Sequence, residues 1–197
     1  METDGIEAYV RRYVEETAAA IRPEYLPRAV ARIVPIFLQA RAEGRTLFFF
    51  GNGGSASTAS HFVVDIGKAT LRGDHRRFRC LALVDNVPTV TAWANDADYA
   101  VVFAEQLAAL AVPGDVAVGI SGSGNSPNIL AAMEKARPMG LATIGLTGMG
   151  GGRLREMVDV PVVVPSNSMQ HVEDAHLLLC HLLTAYLRDE APPADPG

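Results

Sequence analysis

The amino-acid sequence predicts an α/β protein: a three-layer αβα sandwich on a five-stranded parallel sheet, preceded by two helices. Five short apolar runs alternate with segments of helical periodicity, and each run is uninterrupted, as in strands buried on both faces. Glycine- and serine-rich loops follow three of these runs, at 51–55, 121–126 and 147–152. They lie at the carboxyl ends of the strands, where parallel sheets bind ligands.

The composition restricts the class of protein. The 197 residues are 49% hydrophobic and 20% charged, which indicates one globular domain, and we assign residues 1–190 to it. A net charge of −5 without long Lys/Arg runs argues against a nucleic-acid partner. The sequence has no 18-residue apolar run, no signal peptide and no cysteine spacing motif around Cys80 or Cys180. We therefore expect a cytoplasmic protein with reduced thiols and no membrane partner.

Two helical patterns precede the first strand. Residues 6–22 place apolar side chains at three-to-four spacing, which predicts an amphipathic helix. A second helix is predicted over 26–42, with Pro35 inside it and Gly44 as its C-cap. These helices have no sheet of their own, so we predict that residues 1–43 form an oligomerisation segment. Covering the sheet of the same subunit is the alternative.

The remaining elements alternate along the chain. We predict strands at 47–50, 80–84, 116–120, 142–146 and 160–164. We predict helices at 56–66, 87–94, 99–111, 128–137, 153–157 and 172–188. The basic residues between 68 and 79 are expected to form a solvated loop, and the Pro-rich tail 191–197 is expected to be disordered.

Two of the loops have the composition of an anion site. Residues 51–55, Gly-Asn-Gly-Gly-Ser, connect a strand to a helix, which directs backbone N–H groups and a helix N-terminus at a ligand. Residues 121–126, Ser-Gly-Ser-Gly-Asn-Ser, add three hydroxyls before a second helix. Neither loop fits a nucleotide P-loop or a dinucleotide-binding loop, so the predicted ligand is a phosphorylated small molecule. For residues 121–126, a tight turn of small residues is the alternative.

Titratable residues follow the first of these loops. His61 and Asp65 are four residues apart and share one face if their segment is helical. They indicate acid–base or metal chemistry beside the anion site; a core histidine near a solvated acid is the alternative. The last helix adds Glu173 and His181, which are about 12 Å apart along its axis and could meet only around a metal or substrate. His176 is interpreted as a packing residue or as one that supports a side chain of the site.

Together these motifs resemble those of the sugar isomerase (SIS) fold and, within it, those of the phosphoheptose isomerases. The matching segments cover nearly the whole chain: GNGGS, then HF, AND, ISGSGNS, LTG and E-x2-H-x4-H. The resemblance implies a homotetramer with active sites at subunit interfaces. It also implies an aldose–ketose isomerase that converts sedoheptulose 7-phosphate into D-glycero-D-manno-heptose 7-phosphate by enediol proton transfer, with zinc as cofactor.

The same resemblance implies roles for individual residues. Substrate binding is implied for Asn52, Gly53, Ser55, Asp96, Ser121, Gly122, Ser123 and Ser126. Zinc binding is implied for His61, Asp65, Glu173 and His181. Of the zinc-binding group, Asp65 is implied as the catalytic base and His181 as the catalytic acid.

Four positions depart from the family pattern. They are Asp65 for glutamate, Glu173 for glutamine, Gly122 for threonine and Ala69 for arginine, with Lys68 or Arg72 left to supply that charge. Two alternatives therefore stay open: an isomerase of a related sugar phosphate in a specialised pathway, and a non-catalytic SIS protein that binds phosphosugars or acts as an adaptor. The presence of His61 and His181 favours the enzyme.

Overall fold

The computed structural model describes residues 3–21, 24–73 and 76–189, and it confirms the predicted three-layer α/β fold. The five parallel strands are β1 (Thr46–Gly51), β2 (Arg79–Ala82), β3 (Val116–Ser121), β4 (Ala142–Thr147) and β5 (Val160–Val163). The helices are α1 (Thr3–Ile21), α2 (Tyr25–Glu43), α3 (Gly54–Val64), α4 (Val87–Asp96), α5 (Val102–Leu110), α6 (Pro127–Ala136), α7 (Leu154–Met157) and α8 (Met169–Asp189). A π-helical turn, Asp65–Ala69, continues α3, and a 3₁₀ turn, Tyr99–Val101, precedes α5.

The order of the strands determines where a ligand can bind. The sheet runs β2-β1-β3-β4-β5, so β1 pairs with β2 on one side and with β3 on the other. After β1 the chain adds β2 on one side, and it then crosses over to add β3 on the other side of β1. In open parallel sheets a crevice forms at this switch point, outside the carboxyl ends of the two strands. The two predicted anion loops follow those strands.

The consecutive phenylalanines of β1 explain how the sheet holds both helical layers. Because side chains alternate across a strand, Phe49 faces one layer, while Phe48 and Phe50 face the other. Phe49 stacks on Phe62 of α3 at a ring-centroid distance of 4.9 Å, in the core shared with α2 and α8. Phe50 packs against Phe103 of α5, in the core shared with α6. The uninterrupted apolar run thus encodes burial on both faces.

The two leading helices have different surroundings. Helix α2 packs on the sheet of its own subunit and runs through Pro35 to Gly44, whose φ of 69° and hydrogen bonds to Ala40 O and Arg41 O confirm the predicted C-cap. Helix α1 rests on α8 through its second half, which includes the buried Ala20, and residues 3–12 are exposed on all sides. Helix α2 therefore covers the sheet of its own subunit, and an oligomerisation role for residues 1–43 stays a prediction.

Part of the basic segment caps a helix. Arg72 donates hydrogen bonds to the carbonyls of Arg188 and Asp189 at the end of α8, where cations are favourable. Arg72 therefore lies far from the anion loops and does not replace the arginine absent at Ala69. The tail 191–197 falls outside the described residues. Within the described ranges, no helix has both the length and the hydropathy needed to cross a membrane.

Candidate active site

The loop after β3 forms one wall of a polar pocket of about 290 Å³. Ser121 ends the strand and Ser126 directly precedes α6, so the loop lies at a helix N-terminus. The hydroxyls of these two serines are 3.0 Å apart, and Asn125 N donates to Ser123 Oγ. The pocket brings together all the predicted substrate-binding residues except Asp96: Asn52, Gly53, Ser55, Ser121, Gly122, Ser123 and Ser126.

Two glycines of the serine loop have close neighbours. Gly124 has a φ of +66°, and a Cβ there would overlap the carbonyl oxygen of Gly151 in the loop after β4. At Gly122, a Cβ would overlap the sulfur of Met169. Met169 thus fills the space that the family's threonine side chain would need, which explains how the loop accommodates glycine at position 122.

The second wall of the pocket is the start of α3. Gly53 adopts a φ of +56°, which turns the chain from β1 into the helix, and Ser55 is buried in its first turn. Glu173 of α8 lies against Gly54, so closely that a Cβ at position 54 would overlap its carboxylate. A carboxylate is favourable at a helix N-terminus, and this one lines the same pocket as the serines.

Asn52 is held by two residues that the sequence does not mark as site residues, Asn128 and Tyr99. Asn52 Nδ2 donates to Asn128 Oδ1 at 2.9 Å, and Asn128 Nδ2 donates back to Asn52 Oδ1 at 2.8 Å. The hydroxyl of Tyr99 donates to the same Asn52 Oδ1 at 3.0 Å. An asparagine in the first turn of a predicted helix gives no sign of burial, since this position is usually solvated. The tertiary fold alone reveals the contact.

His61, Asp65 and His181 form a compact group beyond the pocket. His61 Nε2 lies 3.4 Å from Asp65 Oδ2, which confirms that the two share a helix face. His181 Nε2 is 3.9 Å from the same oxygen and 3.2 Å from His61 Nε2. Asp65 begins the π-helical turn, and such turns often lie at functional sites. Two imidazoles from distant segments therefore meet one carboxylate.

The three residues fit a zinc ion. One donor atom from each lies within 4.8 Å of the others. Tetrahedral zinc with bonds of about 2.0–2.1 Å places its donor atoms about 3.3 Å apart. The observed separations of 3.2, 3.4 and 3.9 Å are close to that value. Two histidines and one carboxylate are also the ligands of several catalytic zinc sites, which leave a fourth position for substrate or water.

Two other predicted site residues lie outside this group. Glu173 is placed beside Gly54 in the serine-loop pocket, and among the described residues it is not part of the metal-capable group. Asp96 is exposed at the end of α4, where Asn95 Nδ2 donates to it at 2.8 Å. Tyr99, in the 3₁₀ turn that follows, hydrogen-bonds to Asn52. This segment therefore contacts a pocket residue through Tyr99 and not through Asp96.

His176 is a buried packing residue, as predicted. It is 1% exposed, and its Nε2 lies 3.2 Å from the carbonyl oxygen of Thr147. Since that oxygen can only accept, the neutral ring carries its proton on Nε2. Burial lowers the pKa of His176 to about 4, because the charged ring would lose its hydration.

This pKa predicts a pH-dependent stability. The folded-state pKa of His176 lies below its unfolded value near 6.5, so the unfolded chain binds more protons between about pH 4 and 6.5. The contribution of neutral His176 to the free energy of unfolding is complete above about pH 6.5 and is lost as the pH falls toward the folded-state pKa. We expect the wild type to lose about 2 kcal/mol more unfolding free energy from pH 7 to 5 than His176→Gln. Denaturant titrations at both pH values measure this; equal losses would contradict it.

The fold and the site define a class of protein. A parallel sheet with serine- and glycine-rich anion loops at its switch point, next to a histidine–carboxylate group, is the arrangement of a sugar isomerase (SIS) domain. The family model described as the SIS domain matches residues 8–148 of the chain.

Relatives place the chain within that class. A phosphoheptose isomerase of Paramagnetospirillum magneticum is 38% identical over 178 residues, 90% of each chain. The structure of phosphoheptose isomerase GmhA from Neisseria gonorrhoeae superposes with a TM-score of 0.85 at 30% identity, covering 92% of this chain and 98% of that one. The structure of a phosphoheptose isomerase from Francisella tularensis superposes with a TM-score of 0.81 at 31% identity, covering 95% of this chain and 98% of that one. The chain belongs to the phosphoheptose isomerase family, and it is a phosphosugar isomerase.

Proposed function

We propose that the protein interconverts sedoheptulose 7-phosphate and D-glycero-D-manno-heptose 7-phosphate. The observation that carries this proposal is the spacing between the anion pocket and the histidine–carboxylate group along α3. Ser55 lies in the first turn of the helix, while His61 and Asp65 follow six and ten residues later. At 1.5 Å per residue these intervals correspond to about 9 and 15 Å.

An extended seven-carbon sugar phosphate fits that spacing. An extended covalent chain advances about 1.2 Å per bond. The phosphorus of a ketose 7-phosphate is seven bonds from C2, or about 8 Å. A five-carbon ketose 5-phosphate spans only about 6 Å. With its phosphate at the serines, the longer sugar spans most of the interval of about 9 Å to His61, and helical side chains lean toward the N-terminus, which shortens the distance left to His61 and Asp65. The shorter sugar leaves a wider gap. The relatives described above are phosphoheptose isomerases, which supports a seven-carbon sugar phosphate as the substrate.

The histidine–carboxylate group is suited to proton transfer. Isomerisation moves one proton between C1 and C2 and one between their oxygens. In the proposed reaction Asp65 takes the proton from the carbon beside the carbonyl, and protonated His181 donates to the carbonyl oxygen, which gives the enediol. Returning the first proton to the other carbon, while the second oxygen gives its proton back to His181, completes the exchange. The 3.9 Å between Asp65 Oδ2 and His181 Nε2 allows one enediol to face both groups.

Zinc is the proposed cofactor of this group. His61, Asp65 and His181 would hold the ion, which, when bound, polarises the carbonyl and stabilises the negative charge on the enediolate. A metal-bound Nε2 carries no proton, so His181 would have to leave the ion to act as the acid. Glu173 is retained as a proposed fourth ligand, and it would have to leave Gly54 to join the other three. Its charge would then compensate for the shorter reach of Asp65, because an anionic ligand strengthens the site more than the family's neutral glutamine.

Turnover assays test the substrate and the metal together. We expect purified protein to isomerise sedoheptulose 7-phosphate, to lose activity in a zinc chelator and to recover it when zinc is restored, as followed by ¹³C NMR of the C2 carbon. Ribulose 5-phosphate serves as the short control and should turn over poorly. Faster turnover of the pentulose, or of another sugar phosphate, would replace the heptose proposal by the related-sugar alternative.

Self-association as a homotetramer is the second part of the proposal. Four apolar side chains of α1 are about half exposed or more: Ile6, Tyr9, Val10 and Val14, at 49, 58, 52 and 60%. They lie on one helix face, and such contiguous apolar patches are typical of interfaces. An open groove of about 450 Å³ between α2 and α8, lined mainly by apolar side chains, offers further surface for a second copy.

Charges on the apolar face of α1 should prevent assembly. We expect the double substitution Val10→Glu and Val14→Glu to reduce the assembled mass from about four subunits to one or two, because buried carboxylates would be unpaired. Size-exclusion chromatography with light scattering measures the mass against the 21.0 kDa chain. Ala8→Glu, an exposed position on the opposite face, is the matched control and should assemble normally. An unchanged mass in the double variant would exclude α1 from the interface.

A further inference from the structure

We infer that Asn128 is a positioning residue that fixes Asn52 in one orientation, with a single free amide N–H directed at the bound sugar phosphate. The two amides exchange hydrogen bonds of 2.9 and 2.8 Å, which closes a ring between their side chains. Such a reciprocal pair couples the two amides, so that neither can reverse alone. Reversing one amide would place two donors and two acceptors against each other.

The hydrogen-bond inventory of Asn52 determines what it can offer a ligand. Its Oδ1 has two lone pairs, which accept from Asn128 Nδ2 and from the hydroxyl of Tyr99. Its Nδ2 has two hydrogens, one of which is donated to Asn128 Oδ1. The remaining group is one N–H on a side chain that lines the serine-loop pocket. Asn52 is therefore a donor only, matched to phosphate or sugar oxygens.

The burial of Asn128 explains why it can impose this orientation. Asn128 is 1% exposed in the first turn of α6, whereas Asn52 is half-buried at the mouth of the pocket. A buried amide must keep its protein partners, because leaving them unpaired costs about 1–3 kcal/mol. The pair also connects the end of β1 to the start of α6, across the switch point, so both anion loops are held in one register.

Tyr99 extends the network to the segment that follows Asp96. Its hydroxyl is the second donor to Asn52 Oδ1, and the side chain is half exposed. The orientation of Asn52 survives without this hydroxyl, because the amide pair is unaffected. Tyr99→Phe should therefore raise KM by less than about threefold, the effect of one exposed hydrogen bond.

A double-mutant cycle separates positioning from simple structural support. We expect Asn52→Ala and Asn128→Ala each to raise KM for the sugar phosphate about tenfold with little change in kcat. The double variant should be no worse than Asn52→Ala alone, since Asn128 acts through Asn52. Asn128→Asp still accepts from Asn52 Nδ2, but it sets its second carboxylate oxygen against Asn52 Oδ1, so it should not recover the affinity. Effects that multiply to about a hundredfold in the double variant would overturn the inference.

Gln106→Ala is the control for the loss of a buried amide. Gln106 is buried in α5 and donates to the carbonyls of Leu83 and Val102, without contact to Asn52. The effects of Gln106→Ala and Asn52→Ala on KM should therefore multiply in the double variant. The inference rests on the proposed function for its substrate. If the wild type does not isomerise sedoheptulose 7-phosphate, that result contradicts the proposed function alone. The same double-mutant cycle is then measured by calorimetry, with the affinity for inorganic phosphate in place of KM.

Discussion

Asp65→Asn is expected to lower kcat for sedoheptulose 7-phosphate by about 10²–10⁴-fold, the range for removal of a general base. Asparagine has nearly the same size and can remain beside His61, but its amide cannot take up the proton from carbon. The serines proposed to bind phosphate belong to a separate loop, so inorganic phosphate should bind within about twofold of wild type. Steady-state kinetics and calorimetry measure the two quantities on the same preparation.

Metal loss must be distinguished from loss of the base in this variant. The proposed zinc group contains Asp65, so the assays are run with added zinc and the bound metal is measured by mass spectrometry. Asp65→Glu is the matched variant: it retains a carboxylate and restores the length usual in the family, so it should keep most of the turnover. Wild-type turnover in zinc-loaded Asp65→Asn would show that another group is the base.

The sequence was sufficient for the fold because the relevant signals are local. Four consecutive apolar residues are enough to predict strand β1. It is buried on both faces because Phe49 faces one helical layer, while Phe48 and Phe50 face the other. The C-cap at Gly44 required only a glycine after a periodic segment. Local signals also gave the His61–Asp65 pair, since a spacing of four places two residues on one face of any helix.

The parts of the site that escaped prediction depend on how distant elements pack. Helical spacing on α8 alone could not say whether Glu173 reaches the histidines or Gly54; that depends on the placement of α8 against the start of α3. Asn128 looks like an ordinary polar residue in a first helical turn until β1 lies beside it. The contact between Gly122 and the Met169 side chain is visible only when α8 is in place.

Gly124→Ala should have the second large effect, because it forces two anion-site loops apart. An alanine Cβ at a φ of +66° would overlap the backbone oxygen of Gly151, which no side-chain movement can relieve. Both loops are tied nearby, since Gly124 N donates to Ser121 O and Leu154 N donates to Gly124 O. We expect a destabilisation of about 2–5 kcal/mol and a loss of phosphate affinity of more than tenfold, measured by denaturant titration and calorimetry.

Gly150→Ala isolates the steric part of that effect. Gly150 also has a positive φ, +82°, but a Cβ there has no heavy atom within 4 Å. Alanine at this position should cost only the left-handed backbone strain, about 1–2 kcal/mol, and leave phosphate affinity unchanged. If the two variants lose equal stability and both keep their affinity, strain alone explains Gly124 and the contact with Gly151 does not shape the loop. A loss of affinity confined to Gly124→Ala shows instead that the packing of these two loops holds the serines in position for the anion.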